Sequence, residues 1–114
     1  MVNRGEDLSV RIEERFKGGD GEVFVKDLTA GKKPANVRVC NEMVLLKNCS
    51  IGYHTHEGDS EIIYILSGEG LYRDGAQESR VRAGDTLICC GGESHSLRNE
   101  LEQPLKYLAF IVKE

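Results

Sequence analysis

The chain has 114 residues, of which 39% are hydrophobic and 30% charged, and its formal net charge is −4 at pH 7. This length suffices for one domain with a modest core and is too short for two ordinary domains. Acidic and basic residues are interleaved without a basic stripe, only 6% of residues are aromatic, and tryptophan is absent. These features argue against a nucleic-acid partner, which requires cations for its phosphates and aromatic rings for its bases.

Residues 1–20 form an N-terminal arm whose conformation the pattern leaves open. Leu8, Ile12 and Phe16 recur every four residues, as on one face of a short helix. Val10 and Ile12 alternate equally well with charged neighbours, as in a strand. The glycine-rich segment KGGDG ends this helix or strand. We therefore separate this arm from a main domain that spans residues 21–114.

From residue 21 onward, short runs have the composition of β-strands. They are rich in β-branched and aromatic residues, and turn residues separate them at nearly regular spacing. Asp74-Gly75 indicates a hairpin, because both central positions of such a turn can take positive φ. The runs are EVFVKDL, VRVCNEMVLL, IGYHTH, EIIYIL, GLYRD, ESRVRA, DTLICC, SHSLRN and LKYLAFIV. The pattern predicts a single all-β domain, an antiparallel sandwich or barrel.

Neither a membrane segment nor an export signal is expected. The longest apolar run, YLAFIV, suits a buried strand and is far shorter than the roughly 20 residues of a membrane helix. Charged residues occupy the N-terminus where a signal peptide has its apolar segment. The four cysteines form no CxxC pair, and the neighbours Cys89 and Cys90 make a strained disulfide; the other two are Cys40 and Cys49. We expect reduced, mostly buried cysteines and a cytoplasmic protein.

Two of the chain's three histidines lie one residue apart, in the segment GYHTHEGDSEIIYILSGEG. On a strand, His54 and His56 point to the same side, roughly 7 Å apart, and can converge on one metal ion. If the next strand returns as a hairpin, Glu61 lies close to His56 and can add a carboxylate oxygen. The spacing therefore suits three metal ligands from one hairpin, although two histidines on a strand can also form an ordinary polar face.

The segment 52–68 resembles the first motif of the cupin superfamily, in which two histidines one residue apart precede a glutamate and a glycine. The segment 84–99, GDTLICCGGESHSLRN, resembles the second motif. Two departures occur, and neither touches a ligand position. Cys90 stands where the second motif has its proline, and Gly52 is nearer to the first histidine than usual. The matching residues are His54, His56, Glu61, Gly68, Gly84, Gly92, His95 and Asn99.

The resemblance implies a double-stranded β-helix, a jelly-roll barrel that holds a divalent metal ion. It also implies that the ligands are His54, His56, Glu61 and His95. Three nitrogens and one oxygen leave about two positions open around a six-coordinate ion, as a catalytic or ligand-binding site requires. These ligand types suit iron, manganese, nickel, cobalt or zinc, and the resemblance favours Mn²⁺ or Fe²⁺. With every histidine assigned to the metal, proton transfer must use a carboxylate, tyrosine, thiol or metal-bound water.

Three functions are compatible with this site. The leading hypothesis is a metal cupin that acts on a small carboxylate or organic acid, since the length and the GGDGEVFVKDL segment are similar to small oxalate-decarboxylase-like cupins. The first alternative is an Fe²⁺-dependent dioxygenase. The second is a non-catalytic module that binds a small molecule or a metal.

The strand EIIYIL is apolar on both faces. Ile63 and Ile65 share a side with Glu61 and should line the barrel, whereas Ile62, Tyr64 and Leu66 should point outward; these six residues alternate along the run. A strand that is apolar on both faces is usually covered on both faces. We therefore expect a homodimer.

Several further residues have a functional and a plainer interpretation. Cys89 or Cys90 could place a thiol near the metal or act as a redox switch, but small residues in a packed strand are the plainer interpretation. Arg38, Arg82 and Arg98 could bind a carboxylate, but we interpret them as solvated surface residues.

Overall fold

The structure is a computed structural model that describes all residues, 1–114. It contains ten strands and two short 3-10 turns, Gly5–Asp7 and Phe16–Gly18. The strands are β1 Val10–Glu14, β2 Glu22–Asp27, β3 Val37–Leu45, β4 Cys49–Thr55, β5 Asp59–Ser67, β6 Glu69–Asp74, β7 Gln77–Arg82, β8 Thr86–Cys89, β9 Ser94–Asn99 and β10 Leu105–Lys113. None of its helical segments has the length and apolarity needed to cross a membrane.

The strands form two antiparallel sheets. One sheet has six strands in the order β1-β2-β3-β10-β5-β8, and the other has four in the order β4-β9-β6-β7. Successive strands thus alternate between sheets at several points, as in a jelly roll. Every predicted run forms one of the strands from β2 to β10. The predicted all-β jelly-roll fold is confirmed.

The core lies between the two sheets and is made by the inward side of each alternating strand. Leu45, Ile65 and Leu105 have no exposed surface. Burying each such side chain contributes about 1.5–3 kcal/mol. Both sheets supply the cluster of buried apolar residues: Val23, Val25, Met43, Leu45, Ile51, Ile63, Ile65, Tyr72, Val81, Leu87, Leu97, Leu105, Tyr107 and Ala109.

The N-terminal arm contains a strand rather than the helix that the four-residue spacing allowed. β1 pairs with β2 along its full length and forms the edge of the six-stranded sheet. Ile12 is 53% exposed, whereas Phe16 packs partly against the core. Pairing with β2 satisfies the backbone groups of β1, which an isolated helical turn of this length could not do stably.

The predicted hairpin at Asp74 forms, but its turn is centred one residue later than expected. Asp74 pairs with Gln77, so the two loop residues are Gly75 and Ala76. Only Gly75 has positive φ, at 60°. A turn with glycine at its first central position needs positive φ there alone, so Asp74 can remain in β6.

The outer side of β5 is apolar, as predicted. Ile62, Tyr64 and Leu66 are 41%, 40% and 37% exposed. Their neighbours across the sheet extend the apolar surface, since Ile62 lies opposite Phe110 on one side and Ile88 on the other. We call this surface, on the outside of β8, β5 and β10, the outer apolar face.

Candidate metal centre

A bulge in β4 determines the direction of its histidines. Ile51 lies opposite Leu97 and His54 lies opposite His95, so β4 has one more residue than β9 between these pairs. Without the bulge, regular alternation would place Ile51 and His54 on opposite faces, because they are three residues apart. The extra residue brings both to the inner face.

Gly52 lies within this bulge and contacts the N-terminal arm. A Cβ atom on Gly52 would collide with the carbonyl oxygen of Lys17, and a Cβ atom on Gly19 would collide with the carbonyl oxygen of Ser50. The carbonyl oxygen of Gly52 also accepts a hydrogen bond of 2.7 Å from His54 Nδ1. The absence of a side chain at position 52 thus allows the close backbone contact that fixes this histidine.

His56 follows the last residue of β4 and is held by the turn before β9. Its backbone N–H donates to the carbonyl oxygen of Glu93 at 3.0 Å, and its carbonyl oxygen accepts from the N–H of Gly92 at 2.7 Å. These two hydrogen bonds continue the pairing of β4 with β9 beyond the end of β4. They fix the backbone of His56 as they would that of a strand residue.

The structure brings together all four sequence-predicted ligands. One donor atom from each of His54, His56, Glu61 and His95 lies within 4.8 Å of the others. His56 Nε2 is 2.9 Å from Glu61 Oε1 and 3.1 Å from His95 Nε2, and His95 Nε2 is 3.0 Å from Glu61 Oε1. His54 is half-buried and the other three are buried. Strands β4, β5 and β9 thus converge on one point inside the barrel.

Hydrogen bonds to the outer ring nitrogens direct the inner ones toward this point. His54 Nδ1 donates to Gly52, His56 Nδ1 donates to Asp59 Oδ1 at 2.8 Å, and His95 Nδ1 is 2.8 Å from the hydroxyl of Tyr72. A neutral ring that donates from Nδ1 presents the lone pair of Nε2. The oxygens of Gly52 and Asp59 can only accept, so they select the tautomer that a metal ligand needs for His54 and His56, whereas the Tyr72 hydroxyl can accept from His95 or donate to it.

The donor set fits a divalent metal ion. Lone pairs and a carboxylate that face each other within 3.1 Å repel one another unless a proton or a metal ion lies between them. Three imidazole nitrogens and one carboxylate oxygen within 4.8 Å of one another could surround one divalent ion.

The electrostatics of the cluster keep Glu61 ionised. Burial acts to raise the pKa of Glu61, but hydrogen bonds from His56 and His95 together outweigh it and lower that pKa to about 2. The hydrogen bond with Glu61 raises the pKa of His56 against the effect of burial, and burial lowers the pKa of His54. The hydrogen bonds to Glu61 place protons on inner ring nitrogens, and a metal ion that binds the cluster would displace these protons and leave Glu61 ionised.

A cavity of about 330 Å³ opens beside the cluster. Its wall is mainly apolar, with Met43, Ile63 and Ile111 among its residues. Charged side chains also line it: the cations Lys17 and Arg38 and the carboxylates Glu57, Asp59 and Glu61. A ligand in this cavity would reach the four clustered donors directly.

Arg38 lines the cavity because β3 also has a bulge. Val39 lies opposite Ile111 and Val37 lies opposite Val112, so Arg38 is the extra residue and lies beside Val39 at the cavity. Its Nη1 is 3.3 Å from Asp59 Oδ2. Arg38 is exposed, as expected of a surface residue, and it also lines the cavity.

The other two arginines lie outside the cavity lining. Arg98 pairs with Asp20 at 2.8 Å, and Arg82 is exposed. Both agree with their interpretation as surface residues.

Sequence reasoning missed the two side chains that orient the histidines. Asp59 is only 6% exposed and contacts both His56 and Arg38. Its one signal in the sequence was its position three residues after His56, in the turn-rich segment before the predicted strand EIIYIL. Tyr72 is one aromatic residue of the predicted strand GLYRD, and its contact with His95 depends on the pairing of β6 with β9.

The two adjacent cysteines lie outside the four-residue cluster. Cys89 is buried in β8 opposite Glu61, and burial raises its pKa to about 11, so its thiol is protonated at neutral pH. Cys90 is exposed, and its N–H donates to Glu93 Oε1 at 2.7 Å. A proline at position 90 would lack this N–H, so the missing proline is replaced by a turn hydrogen bond.

The chain is similar to a known protein family, to a characterised protein and to solved structures. The family model of the cupin domain matches residues 41–111. An oxalate-binding protein of Thermotoga maritima is 36% identical over 113 residues, which cover 98% of this chain and 93% of that protein. The crystal structure of a predicted oxalate decarboxylase from Thermotoga maritima has a TM-score of 0.92 and 34% identity, with complete coverage of both chains.

A more distant structure shares the fold alone. The polyketide cyclase RemF of Streptomyces resistomycificus has a TM-score of 0.81 and 23% identity over 100% of this chain and 81% of that chain.

Proposed function

This chain belongs to the cupin family, and from that premise we propose that it binds a divalent metal ion and, through the open positions of that ion, a small carboxylate. The proposed ligands are His54, His56, Glu61 and His95. The observation that carries the proposal is the convergence of their donor atoms, with hydrogen bonds on the outer nitrogens of the rings. Mn²⁺ and Fe²⁺ are the ions we favour, because imidazole with carboxylate suits both and the resemblance to the cupin motifs favours them.

The bound ion would supply positive charge that attracts a carboxylate and stabilises negative charge developing on it. The chain's own residues hold the ring planes, through Asp59 on His56 and Tyr72 on His95. A ligand that displaces water from the apolar wall would strengthen the electrostatic contacts within the cavity. The whole-length similarity to an oxalate-binding protein supports a carboxylate as the ligand.

Elemental analysis of the purified, untagged protein tests the metal. We expect about one equivalent of manganese or iron per chain, lost in His54→Ala, His95→Ala and Glu61→Gln. Glu78→Gln is the matched control, since Glu78 is exposed on β7, outside the cluster. A parent protein that takes up no ion after incubation with Mn²⁺, Fe²⁺, Ni²⁺, Co²⁺ and Zn²⁺ would overturn the proposal.

A binding module without turnover is the second candidate, favoured by the hydrogen bonds of the cavity's acids. Asp59 is held by His56 and Arg38, and Glu61 by two histidines. Glu57 alone among the cavity's carboxylates is exposed and makes no such contact. Conversion of oxalate to formate and carbon dioxide requires a proton donor, and Glu57 is the one carboxyl group of the lining without such a contact.

Formate production by the Mn²⁺-loaded protein, abolished in Glu57→Gln, would support decarboxylation. Oxalate binding with no formate would support the binding module. Oxygen consumption with Fe²⁺ but not Mn²⁺ would instead indicate the dioxygenase.

We also propose that the protein is a homodimer joined through the outer apolar face. Ile62, Tyr64, Ile88 and Phe110 lie on this face, and apolar side chains in such numbers on one sheet are usually covered. A cytoplasmic location is proposed as well, supported by four unpaired cysteines.

A further inference from the structure

We infer that the ligand is a dicarboxylate longer than oxalate, with one carboxylate at the metal cluster and the other at Arg38. This inference rests on the proposed function and names the ligand class of the same site. It makes Arg38 the residue that selects the ligand by its length and its second charge.

The cavity is larger than oxalate requires. Its volume of about 330 Å³ equals that of roughly ten liquid waters at about 30 Å³ each. A two-carbon dicarboxylate that chelates an ion at the cluster would leave much of this space unfilled. A longer ligand would fill the space and displace more water from the apolar wall.

Apolar side chains of the cavity wall could pack against the methylene groups of a ligand. Met43, Ile63 and Ile111 line the cavity together with Ile51, Leu97 and Ala109. An apolar wall gives no hydrogen bond to a carboxylate and would leave its oxygens unsatisfied. The part of the ligand between its two ends should therefore be hydrocarbon.

Arg38 provides the charge for the second carboxylate. The β3 bulge turns it toward the cavity, and one guanidinium nitrogen contacts Asp59 at 3.3 Å. Its side chain is half exposed, and a guanidinium has five N–H donors in a fork that matches a carboxylate. Donors therefore remain available for a ligand after the contact with Asp59 is made.

The charge of the cavity supports a doubly negative ligand. Lys17 and Arg38 face Glu57, Asp59 and Glu61 across the lining, which leaves one net negative charge. A divalent ion at the cluster reverses this sign and makes the lining positive. A ligand with two carboxylates then meets positive charge at both ends.

Titration calorimetry of the Mn²⁺-loaded protein with oxalate, malonate, succinate, glutarate and adipate tests the inference. We expect affinity to rise beyond oxalate to an optimum at a longer chain. Monocarboxylates of matched length should bind about tenfold more weakly than that optimum, because they lack the charged contact at Arg38. Arg38→Met should weaken the best dicarboxylate by about tenfold or more while changing oxalate binding less than about twofold.

Arg80→Met is the matched control, because Arg80 pairs with Glu100 at 3.5 Å with similar exposure but lies outside the cavity lining. Manganese content is measured in each variant, so loss of the metal site is recognised separately. Tightest binding of oxalate by the parent protein, or equal binding of dicarboxylates and monocarboxylates, overturns the inference even if Arg38→Met fails to fold. Either result with manganese bound leaves the proposed metal function standing.

Discussion

Asp59 shows how a single residue can govern the centre without contacting the proposed ion. It accepts the Nδ1 proton of His56 at 2.8 Å and lies 3.3 Å from Arg38. Through these contacts it fixes the tautomer of one proposed ligand and the direction of one cavity cation. A residue that contributes to both ends of the cavity should affect metal and carboxylate binding together.

We expect Asp59→Ala to weaken Mn²⁺ binding by about 10- to 100-fold, because His56 loses the acceptor that orients its ring. Competition with a chelator measures this change. Asp7→Ala is the control, since Asp7 is an exposed acid in the N-terminal arm. Unchanged affinity in Asp59→Ala, with correct folding shown by circular dichroism, would mean that this hydrogen bond does not position the ligand.

At the scale of the secondary-structure elements, bulges in two strands position residues of the metal cluster and the cavity. The β4 bulge turns His54 inward and the β3 bulge turns Arg38 toward the cavity. The arm residues 16–19 pack on the first bulge, with the Lys17 carbonyl against Gly52. The contact between the N-terminal arm and the β4 bulge thus helps to hold the site in place.

We expect Gly52→Ala to lower the free energy of unfolding by about 1–3 kcal/mol, because its methyl group collides with the Lys17 carbonyl. Urea denaturation measures this loss. Gly5→Ala is the control, since a Cβ atom there meets no atom within 4 Å. Equal stability of the two variants would show that residues 16–19 can move away from the added methyl group without loss of unfolding free energy.

The turn after β2 should have a pH-dependent stability. Asp27 accepts hydrogen bonds from the N–H and hydroxyl of Thr29 and from the N–H of Gly31. The hydrogen bond from the Thr29 side chain is the main cause that lowers the pKa of Asp27 below 3.8. Because the folded-state pKa is lowered, this stabilisation is present above pH 3.8 and is lost as the pH falls further.

We expect Asp27→Ala to cost about 1 kcal/mol at pH 7, and the difference from the parent protein to shrink below pH 3.8. Urea titrations at several pH values measure it. A difference that stays constant down to pH 2.5 would assign the effect to packing rather than to the charge of Asp27.

At the scale of the whole molecule, the outer apolar face is the feature that a monomer leaves unexplained. We expect Tyr64→Lys to convert a dimer to a monomer, because a charge at the centre of a desolvated interface is strongly unfavourable. Light scattering after size-exclusion chromatography measures the mass. Leu101→Lys is the control, since Leu101 is 39% exposed, close to the 40% of Tyr64, but lies beyond β9. A monomeric parent protein would contradict the proposed dimer.

Much of this molecule follows from local patterns in the chain. The alternation along EIIYIL places Ile63 inside and Ile62 outside, because side chains of a strand alternate between faces whatever its partner. Glycine-containing turns mark the ends of the strands for an equally local reason, since glycine takes positive φ without strain. The spacing of His54, His56 and Glu61 indicated up to three ligands from one hairpin, and the resemblance to the cupin motifs added His95. The fold brings the four side chains together.

Other features depend on which strands pair, and these were not predictable from local patterns. The inward direction of Arg38 requires the extra residue opposite Ile111 and Val112, and the contact of Tyr72 with His95 requires β6 beside β9. Asp59 became part of the centre only when the turn after His56 folded back on it. A bulge and a side-chain contact between distant strands both depend on hydrogen-bond register, and register is a property of two segments together, so neither segment alone encodes it.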